Sequence, residues 1–218
     1  MKIGVLFDLD GTLLDTLEDL KDAVNYTLRS FDLPERSIEE IRAFVGNGVR
    51  NLMIRSLPGT PQDPPVEEAL RVYKAYYHAH SQVKTKPYAG VEEAVKAVQK
   101  KYAVAIVSNK QDEAVKPLCA QFFPGIYALG ETKDCPRKPH PEIVHRVMKD
   151  LGVDGCVYVG DSEVDVQTAC NANVPCLSVL WGFRDQEVLA QAGSVYFCQK
   201  PEEIPEMLER IVKEVYGQ

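Results

Sequence analysis

Short apolar runs that alternate with helical patterns are the feature that most restricts how this chain can fold. The runs 3–7, 103–107, 157–159 and 176–180 are rich in valine and isoleucine and predict buried strands. Helical patterns cover residues 91–100, 112–122, 142–151, 163–171 and 201–216. Strand alternating with helix predicts an α/β fold with a doubly wound parallel sheet.

One interval, from about residue 17 to residue 80, carries helical patterns and no convincing strand. Its second helix opens on a capping-box pattern at Ser37-Ile38-Glu39-Glu40. Two more helices, at 49–57 and 66–77, flank a proline-rich loop at 58–65. We therefore predict a small helical cap domain at 15–84, inserted into a catalytic core made of 1–14 and 85–218.

Charge and composition restrict the partners. The formal net charge of −7 argues against a nucleic acid or an anionic membrane as partner, since either would select a basic face. No stretch approaches 18 apolar residues, and the first apolar run is too short for a signal peptide. The six cysteines contain no C-x-x-C pair, which predicts reduced thiols in a cytoplasmic protein. Nothing in the sequence indicates an oligomeric state.

Two carboxylates directly follow the first apolar run. Residues 8–12 read Asp-Leu-Asp-Gly-Thr, which places Asp8 and Asp10 at the carboxyl edge of the sheet, where open α/β folds bind ligands. A pair of aspartates in an irregular loop is usually solvated charge. Its position after a buried strand, with Gly-Thr following, favours a functional site.

Further polar residues follow later elements. Ser108 and Asn109 end the second strand, which places a hydroxyl and backbone N–H groups at the same edge. Lys138 precedes a proline that keeps its backbone extended, so that it would project from a fixed loop. Another strand ends in an acidic cluster that contains Asp161 and Asp165. Taken singly, Ser108 could cap a helix and Lys138 could be surface charge; their joint placement favours one site.

Together these motifs resemble those of the haloacid dehalogenase superfamily and, within it, the phosphoglycolate phosphatase-like branch. The resemblance covers nearly the whole chain, with the motifs in order. It implies that Asp8 is a nucleophile and Asp10 a general acid and base. It also implies that Ser108 and Lys138 hold the phosphoryl group of a small phosphorylated metabolite, and that the last acidic motif helps to bind Mg²⁺.

The predicted metal ligands are Asp8, Asp10, Asp161 and Asp165. Converging carboxylates would repel one another by ~4 kcal/mol per pair near 4 Å at an effective dielectric constant of about 20. A divalent cation relieves that repulsion, and an all-oxygen site suits Mg²⁺. Asp165 has a second interpretation, in which it orients Lys138 or a metal-bound water.

Thr12, Asn109, Gly48 and Arg50 are the predicted substrate-binding residues, and Thr12 also shapes the backbone. Residues 46–50 read Gly-Asn-Gly-Val-Arg, which fails as a dinucleotide fingerprint because no strand precedes it. The resemblance implies that this loop helps to choose the substrate, so that Arg50 could bind a carboxylate. The other interpretation of Arg50 is a solvent-facing helix residue. Residues 181–184, Trp-Gly-Phe-Arg, are interpreted mainly as packing, with a role in cap closure as the alternative.

Several alternatives stay open at this point. A phosphomutase of the β-phosphoglucomutase type would share the core and return the phosphoryl group to a sugar. Pyrophosphate and sugar phosphates remain alternative substrates beside phosphoglycolate. A dehalogenase is disfavoured, since carbon–halogen cleavage needs no acid at Asp10. A catalytically silent binding module is disfavoured by the intact acidic set.

Overall fold

The computed structural model describes residues 1–60 and 63–217. Residues 61 and 62, in the predicted loop 58–65, and residue 218 lie outside that description. The strands are β1 Ile3–Phe7, β2 Leu14–Asp15, β3 Lys86–Pro87, β4 Ala103–Gln111, β5 Tyr127–Glu131, β6 Gly155–Gly160, β7 Cys176–Val179 and β8 Tyr196–Cys198. The α-helices are α1 Leu17–Arg29, α2 Ile38–Phe44, α3 Gly48–Ser56, α4 Val66–His80, α5 Val91–Gln99, α6 Asp112–Phe122, α7 Glu142–Leu151, α8 Glu163–Asn171, α9 Gln186–Gln191 and α10 Ile204–Tyr216.

A six-stranded sheet in the order β5-β4-β1-β6-β7-β8 forms the larger of two compact units, residues 1–14 with 87–218. Every pairing in it is parallel, and Phe7 at the end of β1 lies between Ile106 of β4 and Val159 of β6. The predicted doubly wound parallel sheet is confirmed. The carboxyl ends of β1, β4 and β6 are therefore neighbours at one edge.

Helices cover both faces of this sheet, which explains the unbroken apolar character of β1. Val5 and Phe7 pack in the cluster that includes α5 and α10, whereas Leu6 packs in the cluster that includes α7 and α8. Alternate side chains of a strand point to opposite faces. Because both faces are buried, each position of β1 must be apolar.

Two strands of the sheet, β5 and β8, were not predicted from the sequence. β5 reads Tyr-Ala-Leu-Gly-Glu and β8 has only three residues, so neither carries a long β-branched run. They are the two edge strands, and each pairs with one neighbour, β4 or β7. Each of these short edge strands is stabilised by its pairing with an existing neighbour.

The second compact unit comprises residues 15–86 and contains α1 to α4. It runs two residues beyond the predicted boundary at 84. The capping box at Ser37 and Glu40 is present. Buried Asp19 of α1 accepts hydrogen bonds from the backbone N–H groups of Lys84 and Thr85, which fixes the end of the unit to its first helix.

Within the described residues, no helix combines the length and the apolar character that crossing a membrane requires.

Candidate active site

Asp8 begins the candidate site, directly after β1. Its backbone N–H donates to Val159 O of β6 at 2.8 Å, which holds it at the sheet edge. The residue is 7% exposed. Burial, with Asp165 adding to it, raises the pKa of the Asp8 carboxyl well above its ordinary value, although Lys138 opposes the shift. A carboxylate here is therefore costly unless a cation offsets its charge.

Lys138 supplies one such cation. Its Nζ lies 2.8 Å from Asp8 Oδ1, 2.7 Å from Asp165 Oδ1 and 3.0 Å from the Tyr158 hydroxyl. The residue is 3% exposed, so the alternative of surface charge is wrong. Burial by itself lowers the pKa of Lys138, but the carboxylates of Asp165 and Asp8 outweigh it and raise the pKa well above its ordinary value. The ammonium group therefore stays charged.

Asn109 fixes the backbone that carries Lys138. Its Oδ1 accepts from the Lys138 N–H at 2.8 Å, and its Nδ2 donates to Lys138 O at 3.0 Å. The two residues are 29 positions apart, so this reciprocal pair joins the end of β4 to the lysine loop. A direct contact between Asn109 and substrate stays a prediction.

Asp165 lies in the first turn of α8, where sequence spacing makes it part of a capping box with Ser162. Its Oδ2 accepts from the Ser162 N–H at 3.1 Å and from the Ser162 hydroxyl at 2.6 Å. Its Oδ1 accepts from Lys138 and from the Tyr158 hydroxyl. Both carboxylate oxygens are thus engaged, and this geometry favours the interpretation that Asp165 orients Lys138.

Asp161 follows β6 and is held by residues far away in sequence. Thr12 donates its hydroxyl hydrogen to Asp161 Oδ1 at 2.8 Å, and the Phe183 N–H donates to Oδ2 at 2.8 Å. Trp181 Nε1 donates in turn to Thr12 O at 3.0 Å. The loop 181–184, interpreted from sequence mainly as packing, therefore orients an acidic site residue. The role of this loop in orienting Asp161 was not predicted from the sequence.

Three of the four predicted metal ligands form one buried cluster. Carboxylate oxygens of Asp8, Asp161 and Asp165 lie within 4.8 Å of one another. Asp8 Oδ1 is buried and has no partner at hydrogen-bond geometry, although Lys138 is close to it. Burial, with Asp165 adding to it, raises the pKa of Asp161 to about 7. An all-oxygen donor set with crowded negative charge fits a hard divalent cation.

Asp10 is the fourth predicted ligand, and its carboxylate takes a different partner. Its Oδ1 lies 3.0 Å from Nζ of Lys110, a residue to which the sequence assigned no role. When ionised, the three clustered aspartates together with Lys138 carry two formal negative charges, the amount that one divalent cation offsets. A ligand role for Asp10 stays a prediction.

Ser108 is buried in the second half of β4, three residues before the strand ends. Its Oγ accepts from the Lys110 N–H at 3.1 Å. Helix α6 begins four residues later, and its N-cap is Gln111, so Ser108 does not cap it. The hydroxyl instead lies at the sheet edge that carries Asp8.

Gly48 and Arg50 belong to the other unit, at the start of α3. Arg50 Nη2 lies 2.8 Å from Glu67 Oε1 of α4, with its side chain 49% exposed. An exposed ion pair of this kind contributes about 0–1 kcal/mol. Arg50 can therefore exchange this partner at little cost.

The fold and the cluster define the class: an α/β enzyme whose carboxylates and buried lysine meet at the carboxyl edge of parallel strands. A family model described as haloacid dehalogenase-like hydrolase matches residues 5–179. The chain belongs to that hydrolase family.

Named relatives and a solved structure agree with this assignment. Phosphoglycolate phosphatase 1 of Pseudomonas aeruginosa is 34% identical over 198 residues, which cover 86% of this chain and 72% of that protein. The phosphoglycolate phosphatase of Mesorhizobium japonicum is 30% identical and is covered over 96% of both chains. A protein from Lactobacillus delbrueckii subsp. bulgaricus, whose crystal structure is known, shares 35% sequence identity with this chain. The two structures superpose with a TM-score of 0.85, and the match covers 94% of this chain and 97% of that chain.

Proposed function

We propose that this protein is a magnesium-dependent phosphatase that hydrolyses small phosphomonoesters, with phosphoglycolate as the preferred substrate. The observation that carries the proposal is the buried contact between Asp8 and the Lys138 ammonium inside a cluster of carboxylates. A carboxylate beside a fixed cation can attack phosphorus, because the cation attracts the anionic phosphoryl group to it.

Two displacements complete the reaction. A carboxylate oxygen of Asp8 attacks phosphorus, the bond to the ester oxygen breaks, and its electron pair leaves with the alkoxide. Asp10 enters this step protonated and gives that alkoxide its proton, then takes one from a water that attacks the aspartyl-phosphate. Inorganic phosphate leaves and Asp8 is restored. Ser108 and Lys138 hold the phosphoryl oxygens throughout.

Asp8 and Asp161 are the side chains that we expect to hold Mg²⁺, with Asp10 and Asp165 as further predicted ligands. The ion would supply charge neutralisation at the phosphoryl group. Thr12 and the Phe183 N–H orient Asp161 for this role.

The names of the relatives support phosphoglycolate as the substrate. Its carboxylate is a second anionic group that an arginine can bind. A two-carbon substrate offers few contacts beyond phosphate and carboxylate. We propose that residues 15–86 act as a substrate-selecting cap and that Arg50, beside Gly48, binds the carboxylate. The location that we propose is the cytoplasm, supported by the buried thiols of Cys119, Cys135, Cys156 and Cys198.

The test is a screen of phosphorylated metabolites for released phosphate, including phosphoglycolate, pyrophosphate and hexose phosphates. We expect phosphoglycolate to be hydrolysed with Mg²⁺, EDTA to abolish turnover, and Ca²⁺ to inhibit, since it takes more ligands at longer distances. Isomerisation of a sugar phosphate without phosphate release would identify a mutase instead. Full activity in EDTA would remove the metal from the mechanism, and no activity on any compound would contradict the proposal.

A further inference from the structure

We propose that Lys110 is a positioning residue that holds the Asp10 carboxyl group for proton transfer to the leaving group. The inference rests on the proposed function and adds a residue to it. Lys110 acts through Asp10 and transfers no proton itself.

The contact between the two side chains is short and shielded from water. Lys110 Nζ lies 3.0 Å from Asp10 Oδ1, and the side chains are 8% and 14% exposed. By contrast, both members of the Lys101–Glu209 pair in the same unit are more than half exposed. Solvent and salt screen a buried pair much less than an exposed one. The ion pair with Lys110 can therefore restrain the Asp10 side chain. The exposed Lys101–Glu209 pair is too strongly screened to restrain its side chains in this way.

The backbone of Lys110 is itself held in place, so the ammonium group extends from a fixed point. Its N–H donates to Ser108 Oγ at 3.1 Å. Gly130 of β5 packs so closely that a Cβ there would lie 2.6 Å from Lys110 O. The Gly130 N–H also donates to Asp112 Oδ1 at 2.9 Å, which joins β5 to the residues just beyond Lys110.

The proposed chemistry requires that the Asp10 side chain be held in one position. A general acid must lie about 2.6–3.2 Å from the oxygen that it protonates. Asp10 follows Asp8 by two residues, close to a cluster of carboxylates that would attract any bound cation and repel Asp10. The Lys110 ammonium group, paired with Asp10 Oδ1, opposes both movement of Asp10 toward such a cation and movement of Asp10 away from the carboxylates. Loss of that group should therefore impair the protonation step more than the binding of phosphate.

The experiment compares two esters that differ in their need for an acid. Phosphoglycolate releases a poor alkoxide leaving group, whereas p-nitrophenyl phosphate releases an anion that departs without protonation. For Lys110→Met we expect kcat/KM for phosphoglycolate to fall ~10²-fold, the lower end of general-acid effects, with a much smaller loss for the aryl ester. Because kcat/KM excludes steps after the first irreversible one, the later hydrolysis does not mask this difference.

Three further variants define the interpretation. Lys110→Arg, which keeps the charge, should recover most of the lost rate. Lys101→Met, which removes only an exposed pair, should leave both esters unaffected. In the Asp10→Asn background, Lys110→Met should add little further loss, because Lys110 acts through Asp10.

Equal losses on both esters, or full additivity with Asp10→Asn, would overturn the role of Lys110 while leaving the phosphatase intact. An inactive wild-type protein would instead overturn the proposed function. A crystal structure of Lys110→Met gives a readout that does not depend on turnover. An unchanged orientation of the Asp10 side chain in that structure would refute positioning by Lys110.

Discussion

Lys138 organises the candidate site at the scale of single residues. Its Nζ donates to Asp165 Oδ1 and to the Tyr158 hydroxyl, and it forms an ion pair with Asp8 at 2.8 Å. Burying an ammonium group without such partners would cost several kcal/mol. The same contacts leave Lys138 charged beside the proposed nucleophile, where it can attract a phosphoryl oxygen.

Replacement of the proposed nucleophile is the most direct test at this scale. Asp8→Asn should lower phosphate release below about a hundredth of the wild-type rate, because an amide of similar shape is a poor nucleophile. Thermal denaturation should show a fold at least as stable, since a buried carboxyl is replaced by a neutral group. Asp154→Asn, at an exposed position, is the matched control. A rate above that limit would contradict the covalent mechanism.

Arg50 is the second test at the residue scale. Arg50→Ala should lower kcat/KM for phosphoglycolate by roughly 10- to 100-fold, the scale of one lost charge-assisted hydrogen bond of ~1.5–3 kcal/mol. Hydrolysis of p-nitrophenyl phosphate, which has no carboxylate, should change little. Arg55→Ala, on the same helix α3, is the control. Equal losses on both esters would assign Arg50 to the fold of its unit, and no change on either would mean that another group binds the carboxylate.

At the scale of elements, the loop after β7 connects two strand ends. It carries Trp181, which donates to Thr12 O, and Phe183, whose N–H donates to Asp161 Oδ2. Gly182 between them approaches so closely that a Cβ would lie 2.5 Å from Gly11 O and against Asp161. One short loop therefore orients the residues that follow both β1 and β6.

A substitution that adds one methyl group to the loop tests whether this close approach orients Asp161. Gly182→Ala should push the loop away from Asp161, and overpacking of this kind costs about 1–3 kcal/mol in the free energy of unfolding. We also expect weaker Mg²⁺ binding, measured by calorimetric titration of the purified protein. Trp181→Phe, which removes one hydrogen bond and replaces the indole by a smaller aromatic ring, should have the smaller effect. Unchanged Mg²⁺ affinity in Gly182→Ala would show that the loop does not control Asp161.

At the scale of the whole molecule, folding brings negative charge together in a protein that is already acidic, with a formal net charge of −7. Burial raises the pKa values of Asp8 and Asp161, the latter to about 7. Between about pH 4 and pH 7 the folded protein therefore retains a proton at Asp161 that the unfolded chain has lost. The stability that this retained proton contributes is fully present below about pH 4 and is lost as the pH rises through about 7.

Magnesium should reverse that loss. Because a cation favours the ionised carboxylates, Mg²⁺ should raise the thermal midpoint more at about pH 8 than at about pH 5. Thermal denaturation with and without Mg²⁺ at both pH values measures the difference. In Asp161→Asn the pH dependence of the Mg²⁺ effect should shrink. An equal Mg²⁺ effect at both pH values would contradict the assignment of these carboxylates to the metal.

Local sequence alone predicted much of this protein. The apolar run of β1, the helical patterns and the capping box at Ser37 depend on residues close together in the chain, so their periodicity is visible in one sequence. The strand that precedes Asp8 also predicted its place at the carboxyl edge of a parallel sheet.

The partners of the site residues were decided only by tertiary structure. Thr12 and Asp161 are 149 positions apart, and the contacts of Asp10 with Lys110 and of Asp161 with Phe183 likewise join distant segments. Such contacts depend on how β1, β4 and β6 align and on which rotamer each side chain adopts. Periodicity carries no information on either, because it records which face a residue occupies and not which residue lies opposite.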